Sequence, residues 1–518
     1  MSKQDPFYLR IAVLTLSWFL FCHNLAGVLR AQDIRGGANE LEDIKGGAGE
    51  ILEARFGKGV FSNPVNFSHR NKRQDRTTAV RRLRPASTAK QVASTERETP
   101  RPERRPTQPA RPVVTAETLF SHGEEHFSSG QYEKAAQAYQ QAIQKRANYA
   151  EAYDGLGDAY FNLRRFQQAI EAYKKASQLK PNWAEPLSGM GESYLELDQN
   201  AAALEALKQA LGLEPGNSKT RELLSSAYYD VGVANYNANK YQEAVEAYQQ
   251  AIQFKPDYAE AHNNLGDAYR RLQKFTEAAD AYNQAIRFKP DWAEAYKNLC
   301  WMYDKLGRYA EAVEAYKKEL QLKPDDAESY NNMGYALGKT RRWDEAIAAL
   351  RKATALKKDY AEAYSNLGWA YNNRSRFQEA LEPLTQAIRL RPDLPEGHFN
   401  IGIAHSRLGH NEEALESFKQ SVRLKPDWAA AQNNLGYAYG VLGRWKEAIA
   451  SHSEAIRLKP DYAGAHFNLG VAYLKAGKKK EAKEQHKLLQ QLNPALADQL
   501  YILINKKAPP KQSPSSTY

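Results

Sequence analysis

Cysteine is nearly absent: 518 residues hold two, Cys22 and Cys300, so no internal disulfide framework braces the fold. The apolar run near the N-terminus, Ile11 to Cys22 (IAVLTLSWFLFC), stops at twelve residues, short of the roughly 20 that a membrane-spanning helix needs. Phosphate-loop chemistry is excluded as well, because no G-x-x-x-x-G-K-[ST] follows a strand-like run at Gly36-Gly37, Gly46-Gly47 or Gly49. No G-x-S-x-G nucleophile elbow occurs. The net charge of +11, from 72 Lys/Arg against 61 Asp/Glu, is not spread along the chain. Residues 63–115 hold 13 basic and 4 acidic side chains, Lys506, Lys507 and Lys511 add to the excess, and residues 116–505 are close to neutral. A basic excess confined to tails does not define a fold. The basic stretch also lacks the interleaved aromatics that nucleic-acid binding would use, so nucleic acid is not the expected partner.

Behind Lys3 and Arg10, a twelve-residue apolar core suits a secretory signal peptide. Residues 1–31 are therefore read as a signal peptide or N-terminal membrane anchor. Cleavage after Ala31 would place Leu29, a poor small-residue match, two positions before it; tolerance of His23 and Asn24 would instead leave Ile11 to Leu29 as an uncleaved tether. Lipoprotein processing is disfavoured by Phe19-Leu20-Phe21 ahead of Cys22. Both remaining readings put the rest of the chain outside the cytoplasm, periplasmic, extracellular or membrane-anchored. Residues 32–62 contain two similar phrases, DIRGGANELED and DIKGGAGEILE, that read as short helical stretches broken by glycine pairs, with no role assigned. Residues 63–115, rich in Arg, Pro, Thr and Gln, cannot bury enough apolar surface to offset chain entropy, and a disordered linker is expected there.

From Ala116 the sequence repeats with a period of 34, with units starting at Ala116, Ala150, Ala184, Ser225, Ala259, Ala293, Ala327, Ala361, Pro395, Ala429 and Ala463. The first residue of each unit is place one. In the eighth unit Tyr364, Leu367-Gly368, Tyr371, Ala380, Leu384, Ala387 and Pro392 mark the skeleton. This skeleton resembles the tetratricopeptide repeat, over about three-quarters of the chain. The resemblance implies an all-α helix-turn-helix solenoid, a right-handed superhelix of about eleven repeats.

The residues give the same reading independently. Two amphipathic helices, Ala361 to Asn373 and Gln378 to Leu390, are predicted in the eighth unit. Gly368 and Ala380 let their backbones approach, and Tyr364, Leu367, Tyr371 and Phe377 form the packed stripe. Pro392 ends the second helix. One hairpin cannot cover its own apolar face, so neighbours must stack. The expected organisation is repeats one to three over 116–217, a helix-extending insertion at 218–224, repeats four to eleven over 225–496, a capping helix at 497–506 and a disordered tail at 507–518. Pro383 should kink its helix, and Cys300 stands in for the usual glycine as a small buried residue.

His122-Gly123-Glu124-Glu125-His126 matches the H-x-x-E-H zinc-peptidase pattern, yet the two histidines fall where Leu156 and Tyr160 stand in the next unit, so core histidines are expected. His262, His398 and His466 take the fourth place and His405 the eleventh, as packing residues and not as a metal cluster. No stretch outside the repeats is long and apolar enough for a catalytic domain. The expectation is a protein with no active site, metal or cofactor.

At place six, repeats five to eleven carry Asn264, Asn298, Asn332, Asn366, Asn400, Asn434 and Asn468, where repeats one to four have Ser121, Gly155, Gly189 and Asp230. One turn on, at place nine, stand Asp267, Trp301, Tyr335, Trp369, Ile403, Tyr437 and Val471. A carboxamide offers a donor and an acceptor, so a row of them can pair with an extended peptide backbone, while Trp301, Tyr335, Trp369 and Tyr437 add apolar area. The row resembles the asparagine ladder in the repeat superhelix of the O-linked N-acetylglucosamine transferases. That resemblance implies that Asn264 to Asn468 grip peptide backbone in a concave groove; no glycosyltransferase domain follows the repeats here, so it implies no enzyme activity. A second reading of the same residues is that the asparagines bond neighbouring helices and the aromatics pack against the adjoining repeat. The function expected from the sequence is a non-catalytic scaffold for proteins or peptides, with a membrane tether at the N-terminus as one option. The alternatives are polyanion binding through residues 63–115 and a detached regulatory relative of a repeat-bearing glycosyltransferase.

Overall fold

The computed structural model describes residues 114–505. The N-terminal apolar run, the glycine-pair phrases, the basic stretch up to residue 113 and the tail from residue 506 lie outside the described residues. Helices alternate in length with the repeat: 13-residue first helices such as Ala361–Asn373 and 14-residue second helices such as Phe377–Leu390. No helix among the described residues is long and apolar enough to cross a membrane.

Three places make the hairpin. Place twenty is alanine in all eleven repeats, from Ala135 to Ala482, and is buried in each. Place eight is glycine in ten repeats, and in nine of them place twenty-four lies directly against it, Leu500 taking that position at Gly470: a Cβ on Gly266 would sit 2.8 Å from Tyr282 Cε1, and one on Gly402 would sit 2.8 Å from Phe418 Cε1. The glycine is there for closeness of packing. Each large side chain so enclosed contributes roughly 1.5–3 kcal/mol of burial. Place fifteen lies in the turn and has positive φ in every repeat, from Gly130 at 71° to Ser375 at 61° and Gly477 at 79°. That left-handed residue closes the first helix, and the next amide bonds back to place eleven, as Arg376 N does to Tyr371 O at 2.9 Å.

Residues 218–224 are continuous with the first helix of repeat four, giving the 20-residue helix Ser218–Asn237. Pro383 is buried in a helix that runs unbroken from Phe377 to Leu390. Cys300 is wholly buried. The final helix, Pro494–Asn505, packs Ala497, Leu500 and Ile504 against Phe467, Ala482 and Leu489.

The chain forms two compact units that divide between Ala295 and Tyr296, inside the helix Ala293–Lys305. In the first unit the first helices of repeats one to five touch in succession; in the second, those of repeats seven, eight and nine do, and those of ten and eleven with the final helix. First helices thus make a continuous layer within these stretches.

Candidate ligand-binding face

Place six and place nine lie on the first helices, and the structure separates the predicted residues into two groups. In the first unit, Asn264 is 0% exposed and its Nδ2 donates to Tyr229 Oη at 2.9 Å. It is a packing residue, withdrawn from any surface. Asp267 is likewise buried: its Oδ1 accepts from Tyr282 Oη at 2.9 Å and pairs with the buried Arg270 at 3.3 Å. Burial raises the Asp267 carboxyl above its ordinary range, with Arg270 opposing.

A rule linking two places explains why. In the first unit, Tyr139, Tyr173 and Tyr282 at place twenty-four donate to Glu124, Asp158 and Asp267 at place nine. An acid at place nine satisfies the buried phenol in these three repeats; in repeat four, where place nine is Val233, the buried Tyr248 Oη is left unsatisfied. In the second unit, place twenty-four becomes Leu350, Leu384, Phe418 and His452 in repeats seven to ten, and place nine holds Tyr335, Trp369, Ile403 and Tyr437. Repeat six is the transition: Tyr316 turns to Asp304 Oδ2 at 2.6 Å, and Trp301 takes place nine. Tyrosine at place twenty-four is the sequence signal that Asp267 belongs to the core.

In the second unit Trp301, Tyr335, Ile403 and Tyr437 are half-buried, as are Asn332, Asn366, Asn434 and Asn468, while Asn298, Asn400 and Trp369 are buried. The rings cluster. Tyr335 lies 5.8 Å from Trp369, which is met edge-on by Trp343 at 5.2 Å, and Tyr309 meets Tyr335 edge-on at 6.2 Å. Lys305 covers the Trp301 ring at 5.2 Å and Lys339 the Tyr335 ring at 5.6 Å. Gly338 leaves the space that the Trp369 ring occupies.

Several amide donors are spent between repeats. Asn366 Nδ2 donates to Asn331 Oδ1 at 2.9 Å, and Asn468 Nδ2 to Asn433 Oδ1 at 3.1 Å, in both cases from place six to place five of the preceding repeat. Asn433 Oδ1 also accepts from His452 Nδ1 at 2.9 Å, and burial pushes that imidazole down to about 3. Asn434 Nδ2 bonds its own helix at Ala430 O, 2.9 Å, and Asn332 Oδ1 accepts from Asn331 at 3.1 Å. Bonding between neighbouring helices, the second sequence reading, therefore applies to Asn264, Asn366 and Asn468.

The histidines divide. His122 is exposed and His126 half-exposed, which corrects the expectation that both are core residues. At place four, His262, His398 and His466 bond the proline carbonyl six residues earlier, as His262 Nε2 does to Pro256 O at 2.9 Å. His405 Nδ1 faces His410 Nδ1 at 3.3 Å. No group of three or more metal-ligating side chains is assembled among the described residues.

Sequence models described as "TPR repeat" match residues 123–164, 232–273, 302–340 and 441–477. Others described as "Tetratricopeptide repeat" match 150–183, 184–217, 259–291, 325–393, 395–428 and 463–496. Similar solved structures include the APC/C hetero-tetramer Cut9-Hcn1, with 14% identity over 76% of this chain and 96% of that chain and a TM-score of 0.41. Yeast Tom70 shares 16% identity over 75% and 94%, with a TM-score of 0.35. The MamA protein shares 31% over 35% and 94%, with a TM-score of 0.27. No curated protein sequence matches the chain. Repeats of this kind generally bind other proteins or peptides, and an architecture made only of them is typical of non-catalytic scaffolds. From the 34-residue hairpins and these matches between residues 123 and 496, the chain belongs to the tetratricopeptide-repeat family.

Proposed function

We propose that this protein is a non-catalytic scaffold, working outside the cytoplasm, that holds extended polypeptide segments along the first helices of repeats six to eleven. The observation that carries this is the half-buried row of Trp301, Tyr335, Ile403 and Tyr437 beside Asn332, Asn366, Asn434 and Asn468. Aromatic rings give area at little entropy cost. With one N–H of each of Asn366, Asn434 and Asn468 engaged, these carboxamides offer a ligand their oxygen and a second N–H, suited to peptide N–H and C=O groups. The second unit carries this row; in repeats one, two and five of the first, the place-nine acids Glu124, Asp158 and Asp267 serve tyrosines instead.

The test is photo-crosslinking of the full chain with a library of short peptides, followed by mapping of the adducts. Adducts concentrated on the first helices from Trp301 to Asn468 support the reading. Adducts confined to residues 63–115, with binding that falls steeply with salt, would overturn it in favour of polyanion capture by the 13 basic side chains there.

A further inference from the structure

Places eleven and sixteen meet across the turn inside a repeat. In repeats six, eight and ten they are tyrosine and arginine: the guanidinium covers the ring at 4.6 Å for Arg308 on Tyr303, 4.9 Å for Arg376 on Tyr371 and 4.7 Å for Arg444 on Tyr439. Repeats five and eleven make the same pair with lysine, Lys274 on Tyr269 and Lys478 on Tyr473, both at 5.9 Å. The arginine also meets the glutamate at place nineteen, as Arg308 meets Glu311 at 2.6 Å and Arg444 meets Glu447 at 2.7 Å. Repeat nine changes both partners at once. It has His405 at place eleven and His410 at place sixteen, and keeps the acid as Glu413.

The two imidazoles turn their Nδ1 atoms towards each other at 3.3 Å, with ring centroids 5.6 Å apart. His405 lies in the last turn of the helix Pro395–Leu408 and His410 directly precedes the helix Asn411–Leu424, with Gly409 at φ 83° between them. His405 is half-buried and His410 exposed, so the pair is open to an ion from solvent. Two nitrogens each about 2.05 Å from a tetrahedral ion stand about 3.3 Å apart. Around a square-planar ion the same pair would stand about 2.9 Å apart. The separation found is the tetrahedral one. Burial holds the His405 imidazole below its ordinary range, with Glu413 opposing and His410 assisting, and the neutral ring is the form that ligates. Without an ion, one ring donates its Nδ1–H to the other; with an ion, that proton resides on Nε2 of the same ring and both Nδ1 lone pairs are available.

Charge points the same way. Place sixteen is arginine or lysine in eight of the other ten repeats, so a cation beside this turn is the ordinary arrangement. It is also what place nineteen pairs with in repeats six, seven, eight and ten. Neutral histidine at place sixteen omits that charge from repeat nine. A divalent cation between His405 and His410 supplies it again, beside the carboxylate of Glu413.

We propose that His405 and His410 chelate a tetrahedral transition-metal ion, zinc by its geometry, which clips together the two helices of repeat nine. Glu413 supplies the neighbouring negative charge, and water completes the coordination. The site stands apart from the proposed peptide-holding row and does not depend on it.

The test is calorimetric titration of the metal-free full chain with zinc chloride, in a His122→Asn, His126→Asn background that removes the other closely spaced pair. His410→Arg puts back the residue that repeats eight and ten carry, and should fold as they do; His405→Gln removes the other ligand. The expected result is one zinc site per chain that weakens by about tenfold or more in either variant, and by less in Glu413→Gln. Zinc should raise the thermal midpoint of the background protein and slow amide exchange in the helices Pro395–Leu408 and Asn411–Leu424, and should do neither in His410→Arg. Equal zinc affinity in the background protein and in His410→Arg would overturn the site, and so would a background protein that binds no zinc. The pair would then be a hydrogen bond between two rings and nothing more.

Discussion

Glu319 occupies place twenty-seven, where nine other repeats have a buried alanine or serine and the last has Leu489. It is 0% exposed, and desolvation pushes its carboxyl up to about 7, with Ser329 and the charges of Lys297 and Lys323 opposing and Asp326 assisting. Asp304, in the same repeat, is pushed up to about 7 by burial while Tyr316 holds it down. A carboxyl that binds its proton more tightly when folded stabilises the fold fully below its unfolded value near 4.5, and that contribution is lost as pH rises through about 7. For Glu319 the loss is on the order of 3 kcal/mol, at 1.36 kcal/mol per unit. Circular-dichroism melts from pH 5 to pH 8 should therefore show the wild type weakening with pH. Glu319→Ala should melt higher at pH 8 and show a flatter profile, with Asp304→Asn removing most of the slope that remains. Equal slopes in wild type and double variant would refute this account. At this scale the sequence displayed the row of asparagines but not their partners. Asn366 bonding Asn331 is a contact between repeats, and spacing within one repeat does not show which residue of the neighbour it meets.

Helices are where sequence and structure agree best. Period and caps predict Ala361 to Asn373 and Gln378 to Leu390, and the helices are Ala361–Asn373 and Phe377–Leu390. The agreement has a simple cause: a two-helix unit with glycine at place eight and alanine at place twenty has one way to close, and repetition enforces it. What single-helix reasoning missed is the core inside the 218–224 segment. Thr220, Leu223 and Leu224 are buried, with Leu223 and Leu224 in one cluster with Leu195, Ala203 and Leu207, and Thr220 Oγ1 lies 3.2 Å from Ser188 Oγ. The segment therefore seals repeat three as well as lengthening a helix, and Asn217 caps it by accepting from Thr220 N at 3.0 Å. Leu224→Ala should cost about 2–5 kcal/mol. The loss should appear in hydrogen exchange as faster opening of the helices Asn200–Leu213 and Ser218–Asn237. Unchanged exchange in the helix Asn200–Leu213 would mean that the segment supports only its own helix.

At the scale of the molecule, stability is a sum over neighbours and not a property of one core. Of the expected organisation, the repeat array was legible because periodicity over eleven units outweighs any one divergent residue; the division between Ala295 and Tyr296 was not, since no change of composition marks it. Nearest-neighbour stability makes the last helix decisive for the repeats beside it. Leu500 is wholly buried, and the space beside Gly470 is filled by its Cδ2, at 2.5 Å from where a Cβ would stand. Leu500→Ala leaves a cavity bounded by Phe467 and Leu489, at a cost of about 2–5 kcal/mol. In a single cooperative core that loss would be shared by every helix. In a stack it falls on the terminal hairpin, so the helices Ala463–Lys475 and Lys479–Leu492 should exchange amide hydrogens faster, by a factor of roughly a hundred at 3 kcal/mol. The helix Ala361–Asn373, carrying Asn366, should keep its wild-type protection, and peptide binding should survive the substitution. Loss of protection spread evenly to that helix would show instead that the second unit opens as one body, and a ligand held at Asn366 would then stabilise the whole unit.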